Sequence, residues 1–148
     1  MGCERMNEGT VDIVLVEDNP YDAELIARVL KKEMPPIHIK VFDDGEEALE
    51  FIRETRRKAG EASVREQPRL ILLDLKLPKV TGLEVLRHIK TDDLTKGIPV
   101  VVFTSSAEER DRLESYRLGA DSYVVKPVNF ADFRRSVIEI AKGWLKKR

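Results

Sequence analysis

The run Leu70-Ile71-Leu72-Leu73 constrains the fold more than any other stretch of the chain. Four large apolar residues in a row, at strand length, leave no face for water. Such a strand must be covered on both sides, as strands of a parallel sheet are when helices lie above and below. The run delivers one carboxylate, Asp74, to its end, and Pro78 then interrupts regular structure. Open α/β sheets place their ligand sites outside the carboxyl ends of the strands. One acid after one strand is a weak signal, and its weight depends on what other strands bring to the same edge.

Four further strand patterns stand at residues 11–16, 37–42, 98–103 and 121–125, and a helix pattern follows each of the five. Apolar stripes fall on Leu25, Ile26, Val29 and Leu30, on Ala48, Leu49 and Ile52, on Leu83, Val85, Leu86 and Ile89, and on Phe130, Phe133, Val137, Ile140 and Trp144. Asn19 with Pro20 opens the first helix, Ser106 with Glu109 forms a capping-box pattern for the fourth, and Asn129 caps the fifth. Strand–helix alternation with apolar strands implies a parallel sheet, and right-handed crossovers leave few topologies. The expected fold class is α/β, a flavodoxin-like (βα)5 three-layer sandwich with a five-stranded sheet of order 2-1-3-4-5. Residues 1–10 are expected to be a flexible tail and 11–148 one domain, with a charged insertion at 53–68 read as an overlong helix end plus a loop.

Composition narrows the partners. Lys and Arg number 26 against 27 Asp and Glu, a net charge of −1, which lacks the basic excess of general nucleic-acid or membrane-surface binders. No stretch approaches the roughly 18 apolar residues of a membrane span. Cys3 is the one cysteine, so no intrachain disulfide exists, in keeping with a reducing cytoplasm. The expected location is cytoplasmic.

The strand ends share one edge. They carry Glu17 and Asp18 from the first strand, Asp74 from the third, Thr104 from the fourth and Lys126 from the fifth. Two carboxylates ~4 Å apart repel by about 1 kcal/mol in water and by more when partly desolvated. Hard oxygen donors in an open, hydrated arrangement suit Mg²⁺, and three acids, one lysine and one Mg²⁺ balance to neutrality. A phosphoryl group on Asp74 would gain the same ion, Lys126 and a hydrogen bond from Thr104. Phosphoryl transfer is catalysed largely by such positioning and charge neutralisation, and a carboxylate can be the nucleophile.

With Glu17-Asp18, Asp74 followed by Pro78 and Gly82, Thr104, and Lys126-Pro127 all in order at strand ends, the chain resembles the receiver domain of two-component response regulators. The resemblance implies that Asp74 is the phospho-acceptor. It also implies that Asp18 and Asp74 bind Mg²⁺ directly with the backbone carbonyl of Lys76, and that Glu17 acts through a bound water. Lys126 would pair with the phosphoryl oxygen across a cis Lys126–Pro127 bond, Thr104 would move toward the phosphoryl group, and Tyr123 would swing inward behind it. The charged insertion and the Tyr123-Val124-Val125-Lys126-Pro127-Val128 run are similar to the single-domain regulators paired with phytochrome kinases. That subgroup typically has a small polar residue where Lys76 stands.

The implied partner is a cognate histidine kinase, phytochrome-like on the subgroup resemblance, or a phosphotransfer protein. A second apolar line on the last helix, Ile138, Ala141 and Leu145, is expected to form a homodimer surface. Rival classes fare worse. A flavodoxin would need a neutral phosphate cradle where Glu17-Asp18 stands. An aspartyl-phosphate phosphatase wants a second acid at the position of Lys76, so turnover enzyme activity is not expected. A pseudo-receiver, acting as a phosphorylation-independent interaction module, is the alternative, opposed by the intact set of acids, Thr104 and Lys126. His38 and His88 have no acidic partner at useful spacing and do not resemble phospho-donors.

Overall fold

The computed structural model describes residues 11–61 and 68–145. In chain order the elements are β1 (Ile13–Val16), α1 (Pro20–Glu33), β2 (Ile39–Phe42), α2 (Gly45–Glu61), β3 (Leu70–Leu73), α3 (Gly82–Thr91), β4 (Val100–Thr104), α4 (Glu109–Arg117), β5 (Ser122–Val125) and α5 (Phe130–Leu145). All strands pair in parallel in the order β2-β1-β3-β4-β5, as expected. β3 starts where its run does, and the other four strands start one or two residues inside their sequence patterns. The tail at 1–10, with Cys3, and residues 62–67 of the charged insertion lie outside the described residues, while the insertion's first part continues α2 to Glu61.

Alternation along the central strands divides two cores. Ile13, Leu15, Leu70, Leu72, Val101 and Phe103 face α1 and α5, where Ile26, Leu30, Phe133 and Val137 meet them. Val14, Val16, Ile71, Leu73, Val100 and Val102 face the other layer, against Ala48, Ile52, Val85, Leu86 and Ile89. Every residue of β1, β3 and β4 is therefore buried. At about 1.5–3 kcal/mol for each large apolar side chain removed from water, this double burial is the main stabilising contribution. Among the described residues no helix is long and apolar enough to cross a membrane.

Helix ends follow local chemistry, with one exception. The Asn19 side chain accepts from the Tyr21 and Asp22 amides at the start of α1, and Asn129 accepts from the Asp132 amide at the start of α5. Thr81 and Glu84 close a capping box on α3 that the sequence reading overlooked. The box expected from Ser106 and Glu109 does not form. The helix α4 starts at Glu109, too late for Ser106 to be its cap, and the Ser106 hydroxyl instead donates to Asp111 at 2.6 Å.

α5 corrects the expected dimer surface. Ala141 and Leu145 are 1% and 5% exposed, and Ile138 packs partly buried on the same core. The second apolar line is covered within the molecule because α5 meets both the sheet and α1. Two residues placed on the core stripe face outward instead: Phe130 is 61% and Trp144 36% exposed.

Candidate functional site

The sheet ladder continues one residue beyond its strands, and this fixes the site. Glu17 N–H donates to the Phe42 carbonyl at 2.8 Å, Asp74 N–H to Val16 at 3.0 Å and Lys126 N–H to Thr104 at 2.7 Å. Each chemically active side chain is thus mounted on backbone as constrained as the core. Gly82 packs α3 against the same segment, its N–H donating to the Leu75 carbonyl at 2.9 Å.

Three carboxylates converge on one ammonium. Lys126 Nζ donates to Glu17 Oε1 at 2.8 Å, to Asp22 Oδ2 at 2.8 Å and to Asp74 Oδ2 at 3.0 Å. The side chains of Lys126, Glu17 and Asp74 are 7%, 2% and 7% exposed, whereas Asp22 stands at the margin with 27%. Burial opposes the charge on Lys126, but its hydrogen bonds to Asp22 and Glu17 and the field of Asp74 prevail and raise its pKa above the ordinary lysine value. Burial pushes the Glu17 carboxyl up to about 7, with the Lys126 hydrogen bond opposing the rise and the Asp74 charge adding to it. Three carboxylates against one ammonium leave an excess of negative charge.

The structure thus brings together Glu17, Asp74 and Lys126 from the expected set, and adds Asp22. An acid in the first turn of a helix is accounted for by the helix dipole alone, so nothing in the sequence marks Asp22, although α1 begins three residues after Glu17 and its first turn cannot leave the edge. Asp18 is exposed at the rim. Among the described residues no three acidic, histidine or cysteine side chains already stand as a metal-ligand set; Lys126 Nζ occupies the point where the carboxylates meet. The donor chemistry, all carboxylate oxygen with surplus negative charge, still fits a hard divalent cation.

Thr104 is fully buried at the end of β4, its hydroxyl oxygen accepting from the Ser106 amide at 3.3 Å. Tyr123 is half-buried against the α2–α3 side of the sheet, and its hydroxyl donates to the Ser106 carbonyl at 2.9 Å. One loop residue therefore touches both expected switch side chains. Lys76 is exposed, while its amide donates to Asp74 Oδ1 at 3.3 Å. The cis bond expected at Lys126–Pro127 is not found; the cis peptide among the described residues is Pro35–Pro36. X–Pro isomers differ by only about 0.5–1 kcal/mol, so local packing, which a motif does not encode, decides between them. A cleft of about 350 Å³ lined by Asp22, Leu25, Ser105, Lys126, Val128 and Phe130 opens beside the ammonium.

Comparison with known proteins gives this geometry a context. The family model of the response regulator receiver domain matches residues 13–138. The protein named "Probable methanogenesis regulatory protein FilR2" of Methanothrix harundinacea is 41% identical over 133 residues, covering 90% of this chain and 83% of its own. Response regulator Rcp1 of Synechocystis is 40% identical, covering 90% and 88%. The crystal structure of the phosphorylated cyanobacterial phytochrome response regulator RcpA superposes with a TM-score of 0.82 at 39% identity, over 93% of this chain and 95% of that one. The Mn(2+)-bound form of Rcp1 gives 0.80 at 38%, over 93% and 96%. With the family model spanning most of its length, on a sheet that delivers the acids and lysine to one edge, the chain belongs to the response regulator receiver family.

Proposed function

We propose that Asp74 accepts a phosphoryl group from a histidine kinase in a Mg²⁺-dependent reaction, and that the chain signals through the surface change that follows. The main support is the convergence of Glu17, Asp22 and Asp74 on the single ammonium of Lys126. In the transfer an Asp74 carboxylate oxygen attacks phosphorus. The bond from phosphorus to the donor imidazole nitrogen breaks, and its electron pair leaves with the imidazole. Lys126 lies within hydrogen-bond reach of the nucleophile and balances charge as it develops. Thr104, at the end of the neighbouring strand, would donate a hydrogen bond to the phosphoryl group, and Tyr123, tied to the same loop through Ser106, would carry the change outward.

Glu17, Asp18 and Asp74, with the backbone carbonyl of Lys76, would hold Mg²⁺. When bound, the ion neutralises the carboxylates and the transferring group. Lys126 alone is insufficient, since the pocket is anionic before any phosphoryl group arrives. The likeness to RcpA, a cyanobacterial phytochrome response regulator, supports a phytochrome-type histidine kinase as the donor, with a phosphotransfer protein as the other source.

The test is intact-mass measurement after incubation with acetyl phosphate and Mg²⁺. A phosphoryl adduct is expected on the wild type and not on Asp74→Asn. A wild type that stays unmodified, or an Asp74→Asn variant that is modified equally, overturns the proposal.

A further inference from the structure

Two loops far apart in sequence meet beside the acceptor strand. Asp44, between β2 and α2, is 7% exposed. Its Oδ1 accepts from the Glu46 amide at 2.7 Å, at the start of α2, and its Oδ2 accepts from Lys79 Nζ at 2.8 Å. Lys79 belongs to the β3–α3 loop and has φ 66, a left-handed conformation that L side chains rarely adopt. Across it the Val80 amide donates to the Pro78 carbonyl at 2.7 Å, closing a three-residue turn. The loops also abut through backbone: a Cβ on Gly45 would stand 3.2 Å from the Val80 carbonyl oxygen and 2.6 Å from Val85 Cγ2. The Lys79 hydrogen bond holds the Asp44 carboxyl below its ordinary value, and Asp44 raises Lys79 in return.

We infer that the Asp44–Lys79 pair is a latch that positions the Lys76–Leu77 segment beside Asp74, and so sets how long a phosphoryl group stays there. This rests on Asp74 being the acceptor. The segment is anchored at its start through one peptide unit: the Lys76 amide donates to Asp74 Oδ1, and the Leu75 carbonyl accepts from the Gly82 amide, which closes the loop from Leu75 to Gly82. Within that closed loop the path of the chain depends on the turn at Lys79. Without its carboxylate Lys79 keeps only the Val80–Pro78 turn bond and the packing of Val80 on Gly45 against the cost of a positive φ, and relaxation to negative φ reorients the peptide planes on either side. Hydrolysis of the acyl phosphate requires a water oxygen to bond to phosphorus while the bond to the Asp74 oxygen breaks, releasing the carboxylate and inorganic phosphate. The Lys76 amide already hydrogen-bonds the acceptor carboxylate, so displacement of this segment changes the surroundings that the water meets at phosphorus. Lys79 and Asp44 are positioning residues and touch no reacting atom.

The experiment follows the decay of phosphorylated protein by intact mass in wild type, Lys79→Met, Asp44→Asn, Lys79→Gly and the double variant Asp44→Asn/Lys79→Met. The two single variants that break the pair should decay faster, on the order of 3–10-fold, because the loop that orders the site loosens. The double variant should decay no faster than either single one, as expected for two members of one interaction. Lys79→Gly, which tolerates positive φ without the tether, should fall between wild type and Lys79→Met. Hydrogen exchange at the Lys76 and Gly82 amides reads the latch without any phosphoryl group. It should speed up in Lys79→Met and stay unchanged at Val102 in the core. Wild-type decay and wild-type exchange in both single variants overturn the latch, as do additive effects in the double variant. A wild type that takes no phosphoryl group overturns the acceptor assignment and the lifetime role with it. Accelerated exchange in Lys79→Met would then identify the acceptor assignment as the part that failed.

Discussion

Gly82 begins α3 with its backbone pressed against the residue that carries the chemistry, so alanine there perturbs the site through packing alone. A Cβ at this position would stand 2.3 Å from the Asp74 carbonyl oxygen, 2.4 Å from Leu75 Cα and 3.0 Å from the Asp74 carbonyl carbon. All three are backbone atoms, and no side-chain rotation relieves the overlap. Ordinary contact begins at 3.4 Å, so α3 and the Asp74–Leu75 segment must separate by about 1 Å, a displacement that at a reacting centre can cost ~100-fold in rate. Two energies oppose each other. Alanine improves on glycine in a helix by about 1 kcal/mol, whereas overpacking against atoms that cannot yield typically costs about 1–3 kcal/mol and occasionally more. The clash prevails, because the helix gain is smallest in the first turn. The expected net loss, on the order of 1–2 kcal/mol, lowers the melting temperature by roughly 2–8 °C for a domain of this size. Phosphoryl uptake from acetyl phosphate should fall by roughly 10–100-fold. Thermal melts followed by circular dichroism and an intact-mass time course measure the two effects. Gly143→Ala is the control, since nothing lies within 4 Å of a Cβ at that position in α5. It should gain up to about 1 kcal/mol with normal uptake. Coincident melting curves and equal uptake for Gly82→Ala and wild type would refute the reasoning.

Lys126→Met removes the cation from three converging carboxylates and should destabilise the fold by about 3–5 kcal/mol without divalent ions. Denaturant titrations with and without Mg²⁺ should show the ion recovering more stability in this variant than in wild type; an equal response would contradict the charge count. In EDTA, Glu17 is an acid whose folded pKa is raised, so the folded state binds the extra proton and stability falls as pH climbs from 4.5 toward 7. The fall should be on the order of 2–3 kcal/mol and absent in Glu17→Gln, which a pH series of urea midpoints measures. On α5, Leu145→Ala should cost about 2–3 kcal/mol as a core truncation while Trp144→Ala stays within about 1 kcal/mol. Equal costs in chemical denaturation would mean the helix faces are assigned the wrong way round.

How far the sequence reveals this molecule depends on whether a residue's environment is local. β1, β3 and β4 are legible because strands buried on both faces admit only apolar residues, and the sheet order follows from handed crossovers. Glu17, Asp74 and Lys126 are legible because each is the first residue past a strand, where the ladder dictates its position. Asp22 is not, since an acid in a first helical turn already has a sufficient explanation in the helix dipole. Only the structure shows that Lys126 reaches it across the sheet edge. Nor is the α5 register: on a helix with apolar residues around half its circumference, periodicity cannot say whether Trp144 or Leu145 turns inward. The Asp44–Lys79 pair spans two loops 35 residues apart, and neither residue sits at a position that a strand or helix pattern marks.

The ammonium of Lys126 has three N–H donors, and Glu17, Asp22 and Asp74 occupy all three. A phosphoryl group on Asp74, as proposed above, replaces one carboxylate charge with up to two on phosphate oxygens, and Lys126 can pair with them only by releasing a present partner. The three are unequal. Glu17 at 2% exposure has no water to replace the lost bond, whereas Asp22 at 27% is readily hydrated. Asp74 gives up its own carboxylate charge, so its bond passes first to a phosphoryl oxygen. Of the two partners that stay charged, Asp22 is the less costly to release when a second phosphoryl oxygen takes a donor, and Asp22 is in the first turn of α1. The same proton donor that accommodates the phosphoryl group thereby loosens its tie to α1. Charge rearrangement at Asp74 would then reach the surface by two routes: through Thr104, Ser106 and Tyr123 on one side, and through Lys126 and Asp22 on the other. The second route needs no movement of β4. Its coupling is set by how strongly one ammonium prefers a desolvated phosphoryl oxygen to a half-solvated carboxylate.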